Sequence, residues 1–170
     1  MASQNKTWLK KNIFLALFIS ISLVLFIFDS LLPKPMPFFR LGLANIIILL
    51  VLVRYGWQEA LLVSAGKVVL GALFTGTLLN FAFMVSACAT LVSTILMIGV
   101  LRAGKKLFSL LGVSVLGAFT HNMVQLAMVW LFLFTQDEIL LLLPFFSLSS
   151  VFTGIITGWL ALILLQNRRL

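Results

Sequence analysis

Residues 117–130 read GAFTHNMVQLAMVW, and three strongly polar side chains, His121, Asn122 and Gln125, fall within five positions of an otherwise apolar run that extends from 107 to 134. A run of that length decides the fold. About 20 predominantly apolar residues form a helix long enough to cross about 30 Å of hydrocarbon, and the chain holds further runs at 13–31, 41–55, 57–75, 80–101 and 139–166. The expectation is an all-α polytopic membrane protein with six transmembrane helices. Composition agrees, because 62% apolar and 9% charged residues cannot cover a water-soluble domain.

Polar and turn-forming segments punctuate these runs. The first ends at Asp29 and LLPKPMPFF, whose prolines at 33, 35 and 37 cannot continue a helix. Tyr55-Gly56 separates the second run from the third, and both are short enough that a partly re-entrant arrangement is open to them. Pro144 belongs in the first turn or two of the last helix, where its missing N–H costs least. The chain therefore divides into a cytoplasmic N-terminal segment at 1–12, one six-helix domain at 13–166 and a cytoplasmic tail at 167–170. Lys6, Lys10 and Lys11 resemble the charged start of a signal peptide, but Ile13 to Phe28 lacks a small-residue cleavage pattern, so the first run reads as a retained span.

The net charge of +8 is explained by topology rather than by nucleic acid. Nine basic residues, Lys6, Lys10, Lys11, Arg54, Arg102, Lys105, Lys106, Arg168 and Arg169, collect on one side; Lys34 and Arg40 lie on the other, and Lys67 is inside a span. That bias places both termini in the cytoplasm.

Charges and amides inside hydrocarbon are the candidate functional groups, since a mid-span charge costs on the order of 2–3 kcal/mol. Lys67 lies about ten residues into the third span, about 15 Å of helix rise from its start, too far for its stem to snorkel out. A buried partner or a bound anion is expected. Asp29 is read at the outer end of the first span and Glu59 two turns to the cytoplasmic side, so no acid is expected at the depth of Lys67. On the fifth span His121 and Gln125 are about 40° apart and Asn122 about 100° from His121, all on one face with the small residues Ser114, Gly117 and Ala118. Interhelical glue and a ligand pocket are both open to this trio; glue bonds average only about 0.6 kcal/mol, which favours the pocket. Arg40 and Asn45 open the second span and Asn80 the fourth. They are placed at the mouth of the pocket, with an interfacial anchor and a helix cap as the other roles for Arg40 and Asn80.

Most enzyme signatures are missing from the sequence. Asp29, Glu59, Asp137 and Glu138 are its only acids and form no aspartate-rich magnesium-diphosphate motif, and one histidine with one cysteine, Cys88, makes no metal cluster. No glycine-rich phosphate loop is present, so ATP hydrolysis would need a partner. No catalytic residue, metal or cofactor is expected, and the partners are a small-molecule ligand and membrane lipid.

At RLGLAN (40–45), a basic residue followed by VVLG (67–71) and AFTHNMVQL (118–126), the chain resembles the bacterial Gx transporter family, also catalogued as heptaprenyl diphosphate synthase component I. The resemblance covers residues 38 to 165. Lys67 stands where arginine is expected as often, which keeps the charge but loses bidentate geometry. This family is similar to the substrate-binding S components of energy-coupling factor (ECF) transporters. The resemblance implies a multi-pass protein of the bacterial cytoplasmic membrane, with a pocket near the outer face and an energising module of transmembrane scaffold and ATPases as partner. The association of the family's genes with electron transfer implies a flavin or quinone precursor as cargo. Ala16 and Ser20, spaced by four, loosely match the alanine-three-alanine docking pattern of S components, and ordinary helix packing explains them equally. The other label implies an accessory subunit of prenyl diphosphate or quinone biosynthesis, non-catalytic alone because magnesium-holding acids are absent from the sequence.

Overall fold

A computed structural model describes residues 2–32, 42–103, 108–132 and 141–166. These form six helices: α1 Ala2–Leu31, α2 Asn45–Arg54, α3 Trp57–Phe74, α4 Phe81–Ala103, α5 Leu110–Phe132 and α6 Leu143–Gln166. No strand occurs among the described residues. Five helices hold windows long and apolar enough to cross a membrane, and α2 is the short one. The expected loops and tail with Lys34, Arg40, Lys105, Lys106, Asp137, Glu138, Arg168 and Arg169 lie outside the described residues.

Most boundaries fall within a few residues of those the sequence suggests, with two informative differences. Helix α1 begins at Ala2 rather than near Ile13. Nothing in residues 2–12 breaks a helix, so backbone hydrogen bonding runs through a polar stretch, and the apolar part alone, Lys11–Leu31, marks the hydrocarbon. Helix α2 spans ten residues, about 15 Å of rise, roughly half the hydrocarbon thickness. It cannot cross by itself.

The position of α2 explains how so short a helix is stable. Every residue from Ala44 to Leu52 is buried. A helix apolar on all sides must be surrounded, and α2 touches α1, α3, α4 and α6. Around it α3, α4, α5 and α6 pack in chain order, and α1 lies on α3. Two aligned contacts, Gly66 against Ile19 and Gly71 against Phe26, show that α1 and α3 run parallel. The joint between α2 and α3 is Gly56 at φ 112°, ψ −177°, a region that only glycine enters without strain. Its N–H still bonds the Val51 carbonyl at 3.2 Å, and its own carbonyl accepts from Ala60 at 3.2 Å, so one residue ends a helix and starts the next.

Small residues set the tightest packing. On α6, Ser150, Gly154 and Gly158 repeat every fourth residue, and the last two form a small-xxx-small face against α5. A Cβ on Gly154 would lie 2.5 Å from the Val115 backbone Cα, and one on Gly158 would lie 2.8 Å from Ser114. Ser114 and Thr157 hydroxyls bond across this seam at 2.9 Å. Gly117, expected on a small face, receives Met97 of α4. The outer surfaces stay greasy: Leu17, Val24 and Phe28 of α1, Phe74 of α3, Ile95 of α4 and Trp159 of α6 are all exposed. On a protein in water this would be an aggregation surface; against lipid it is solvated.

Gly154→Leu is expected to destabilise the bundle by about 1–3 kcal/mol or more, because the clash is with backbone that cannot rotate away. Gly99→Leu, with open space around its Cβ position, is expected to leave stability within about 0.5 kcal/mol of wild type. Unfolding in mixed detergent micelles distinguishes the two.

Candidate ligand site at the centre of the bundle

Lys67, the eleventh residue of α3, is 3% exposed. Its Nζ donates to Asn45 Oδ1, the first side chain of α2, at 3.2 Å. Asn45 is held in turn, because its backbone N–H donates to the Gly42 carbonyl at 2.8 Å. Gly42 has φ 74°, and a Cβ there would press on Asn45 Nδ2 at 3.1 Å. The Gly42 N–H donates at 3.1 Å to Oδ2 of Asp29, which is itself 3% exposed. The end of α1, the turn before α2 and the middle of α3 are thus tied together by polar contacts.

These groups surround a cavity of about 10 Å³, room for about one water molecule. Phe26 and Asp29 of α1, Gly42 and Ala44 of the turn, Lys67 of α3, Ser86 and Thr90 of α4, and His121 of α5 line it. The Thr90 hydroxyl is fully buried and has no hydrogen-bond partner among the described residues. A buried hydroxyl left in this state costs on the order of 1–3 kcal/mol, so the cavity suits a polar guest. The expectation that no acid reaches the depth of Lys67 is corrected here: Asp29 shares its cavity. Residue counting along α1 places Asp29 at the end of a span but says nothing about which way the end of that span leans. Opposite charges around one void lower the cost of burying either.

The structure divides the polar trio of α5. His121 lines the cavity, and its Nε2 lies 3.2 Å from Gln125 Nε2 one turn further along. With the Gln125 amide donating, the imidazole carries its proton on Nδ1. Asn122 turns instead to α6, where its Nδ2 donates to Ser150 Oγ at 2.8 Å and that hydroxyl donates to the Phe146 carbonyl. Asn80 is exposed just before α4, its carbonyl accepting from Phe83 N–H at 2.9 Å. Arg40 lies outside the described residues. Ala16 and Ser20 are on the exposed side of α1, the serine hydroxyl donating to the Ala16 carbonyl at 2.9 Å. Sequence reasoning missed Asp29, Ser86 and Thr90 as cavity residues. The available signal for Asp29 was its isolation, as the single acid of the first apolar run; Ser86 and Thr90 read as ordinary small packing residues.

Over residues 18–164 the chain matches the family model described as heptaprenyl diphosphate synthase component I, a segment that takes in every residue of this cavity. The chain belongs to that family. No curated protein and no solved structure matches it. The family description is of one component of a synthase, so the chain by itself is not that enzyme and has a partner subunit. Among the described residues, no three His, Cys, Asp or Glu side chains are grouped to hold a metal ion.

A double-mutant cycle of Asn122→Ala and Ser150→Ala, read by unfolding in micelles, is expected to give a coupling near the average of about 0.6 kcal/mol and no more than about 1.7 kcal/mol, the upper end for hydrogen bonds between helices in membranes. A larger value would mean that this pair does more than hold α5 to α6.

Proposed function

We propose that the chain is a small-molecule-binding membrane subunit without catalysis of its own, similar to an ECF S component, whose ligand is held between Lys67, Asp29 and His121. The carrying observation is that buried ionisable groups from three helices, Lys67 with Asn45, Asp29 and His121, converge on one cavity at the centre of an apolar bundle. Apolar residues of similar volume would pack there at no loss of stability and often with a gain, so the charges are kept for something other than folding.

In this reading the helices cross the membrane with both termini in the cytoplasm, and α2 runs from mid-depth, where Asn45 meets Lys67, to the cytoplasmic boundary at Arg54. Lys67 supplies positive charge, Asp29 and the imidazole of His121 supply complementary acceptor and donor groups, and Gln125 orients the ring. The presence of Asp29 shifts the favoured ligand from a simple anion to a molecule with both donors and acceptors, such as a vitamin-like heterocycle of the flavin type or a quinone precursor. The closed cavity holds no more than a water, so ligand entry requires the turn around Gly42 to leave Asp29 and Asn45 to leave Lys67. Those two hydrogen bonds belong to the closure. Ala16 and Ser20, on the exposed face of α1, are available for docking to an energising module, and Arg40 and Asn80 remain candidates for the entrance.

The family description favours a second reading, in which the chain is the membrane accessory subunit of a prenyl diphosphate synthase and the same cavity holds part of a quinone precursor. Mass spectrometry of small molecules released from protein purified in lipid nanodiscs separates the two. A flavin or vitamin supports uptake, a prenyl diphosphate or prenylated quinone precursor supports the accessory role, and an empty protein overturns both. Lys67→Met and His121→Ala are expected to reduce the retained ligand by about tenfold or more each, the loss of one charge-assisted hydrogen bond. Retention at the wild-type level in both variants would remove the site from the central cavity.

A further inference from the structure

A second concavity lies at the opposite end of α2, away from the central cavity. Leu52 and Val53 from the end of α2, Trp57 from the start of α3, and Ile98, Leu101 and Arg102 from the end of α4 enclose about 440 Å³. Its walls are mainly aliphatic, with the Trp57 indole and the Arg102 guanidinium as the exceptions, and it is open along one side. Val53 on that open side is 45% exposed, and Trp57 is 42% exposed, so the groove continues into the lipid-facing surface of the helices. At its rim the Arg102 guanidinium sits 4.7 Å from the centre of the Trp57 indole ring. That contact holds a cation and an amphipathic aromatic together at the mouth of an apolar slot.

We propose that this groove binds one acyl chain of an anionic phospholipid, with the lipid phosphate on Arg102. The environment is the membrane–water boundary, because charged side chains gather at this end: Lys11 pairs with Glu59, and Arg54 and Arg102 close α2 and α4. Basic pockets between transmembrane helices on the cytoplasmic side are suited to acidic lipid headgroups, and an indole belongs at headgroup level. The charge balance selects a headgroup of low charge. One guanidinium lines the groove, and the Glu59 carboxylate stands behind it, its Oε2 3.3 Å from where a Cβ on Gly56 would be. A single phosphodiester is neutralised by Arg102, the charged side chain of the groove lining, whereas a diphosphate would leave excess negative charge at its mouth, because the nearby Lys11 ammonium is already taken up by Glu59. The glycine at 56 also leaves the floor free of a side chain between α2 and α3.

The test uses the full chain in detergent, with native mass spectrometry against phosphatidylglycerol, phosphatidylcholine of the same acyl chains, and farnesyl diphosphate. Phosphatidylglycerol is expected to be retained about tenfold more tightly than phosphatidylcholine, and Arg102→Gln to erase that preference. Val53→Trp, which fills the slot and leaves Arg102 in place, is expected to weaken phosphatidylglycerol binding by a similar factor. Equal binding of the two phospholipids, displacement of phosphatidylglycerol by farnesyl diphosphate at equal concentration, or wild-type binding by Val53→Trp would each overturn the assignment. Because neither variant touches the central cavity, failure here leaves the reading of that cavity intact.

Discussion

A lysine ammonium in the middle of an apolar bundle is the constraint around which the centre of this protein is arranged. Its charge is too expensive to leave among hydrocarbon and too deep to reach water, so polar groups must come to it. They come from elements far apart in sequence: Asn45 at the start of α2, Asp29 near the end of α1, Ser86 and Thr90 on α4 and His121 on α5. Gathering them requires α2 to start level with Lys67, partway along α3, since its N-terminus carries Asn45 and its preceding turn carries Gly42. The short central helix and the buried lysine are two sides of one arrangement.

The remaining helices hold that arrangement in place with contacts of a different kind. Between α5 and α6 the backbones approach so closely that Gly154 and Gly158 have no room for a side chain, and hydroxyl pairs such as Ser114 with Thr157 lie in the same seam. In lipid there is no hydrophobic gain from bringing two apolar helices together, so close packing and interhelical hydrogen bonds do this work. Helix α1 is held more lightly: 17% of its apolar window is buried, against 44% for α3 and α4. In the proposed reading, a lightly held α1 carrying Asp29 is the element with the least to lose on opening the turn around Gly42.

Much of this was legible in the sequence, and the gaps have physical causes. Five helices announce themselves by length, because the bilayer imposes a length on any crossing segment; α2 could be located but not measured, since its end beyond Ala44 depends on where the chain turns and not on how greasy it is. Lys67 and His121 stand out because ionisable groups are rare in apolar runs. Asn122 stands beside His121 in sequence, yet the 100° between successive residues sends it to α6, and only the packing of α5 decides which neighbour serves as cavity and which as seam. Asp29 was visible but misplaced, as lateral lean at the end of a helix has no signature in one dimension. Serines and threonines at 86 and 90 carry too little contrast with their small neighbours to be singled out.

The enclosure of α2 also sets an order of events during synthesis. It is the second helix to leave the ribosome, yet its wall includes α6, the last. Its ten residues are too few to rest across a bilayer as a stable span in the interval, and its final surroundings do not exist until the 24 residues of α6 have been made. The last wall around the helix that carries Asn45 to Lys67 is therefore supplied only when α6 is in place.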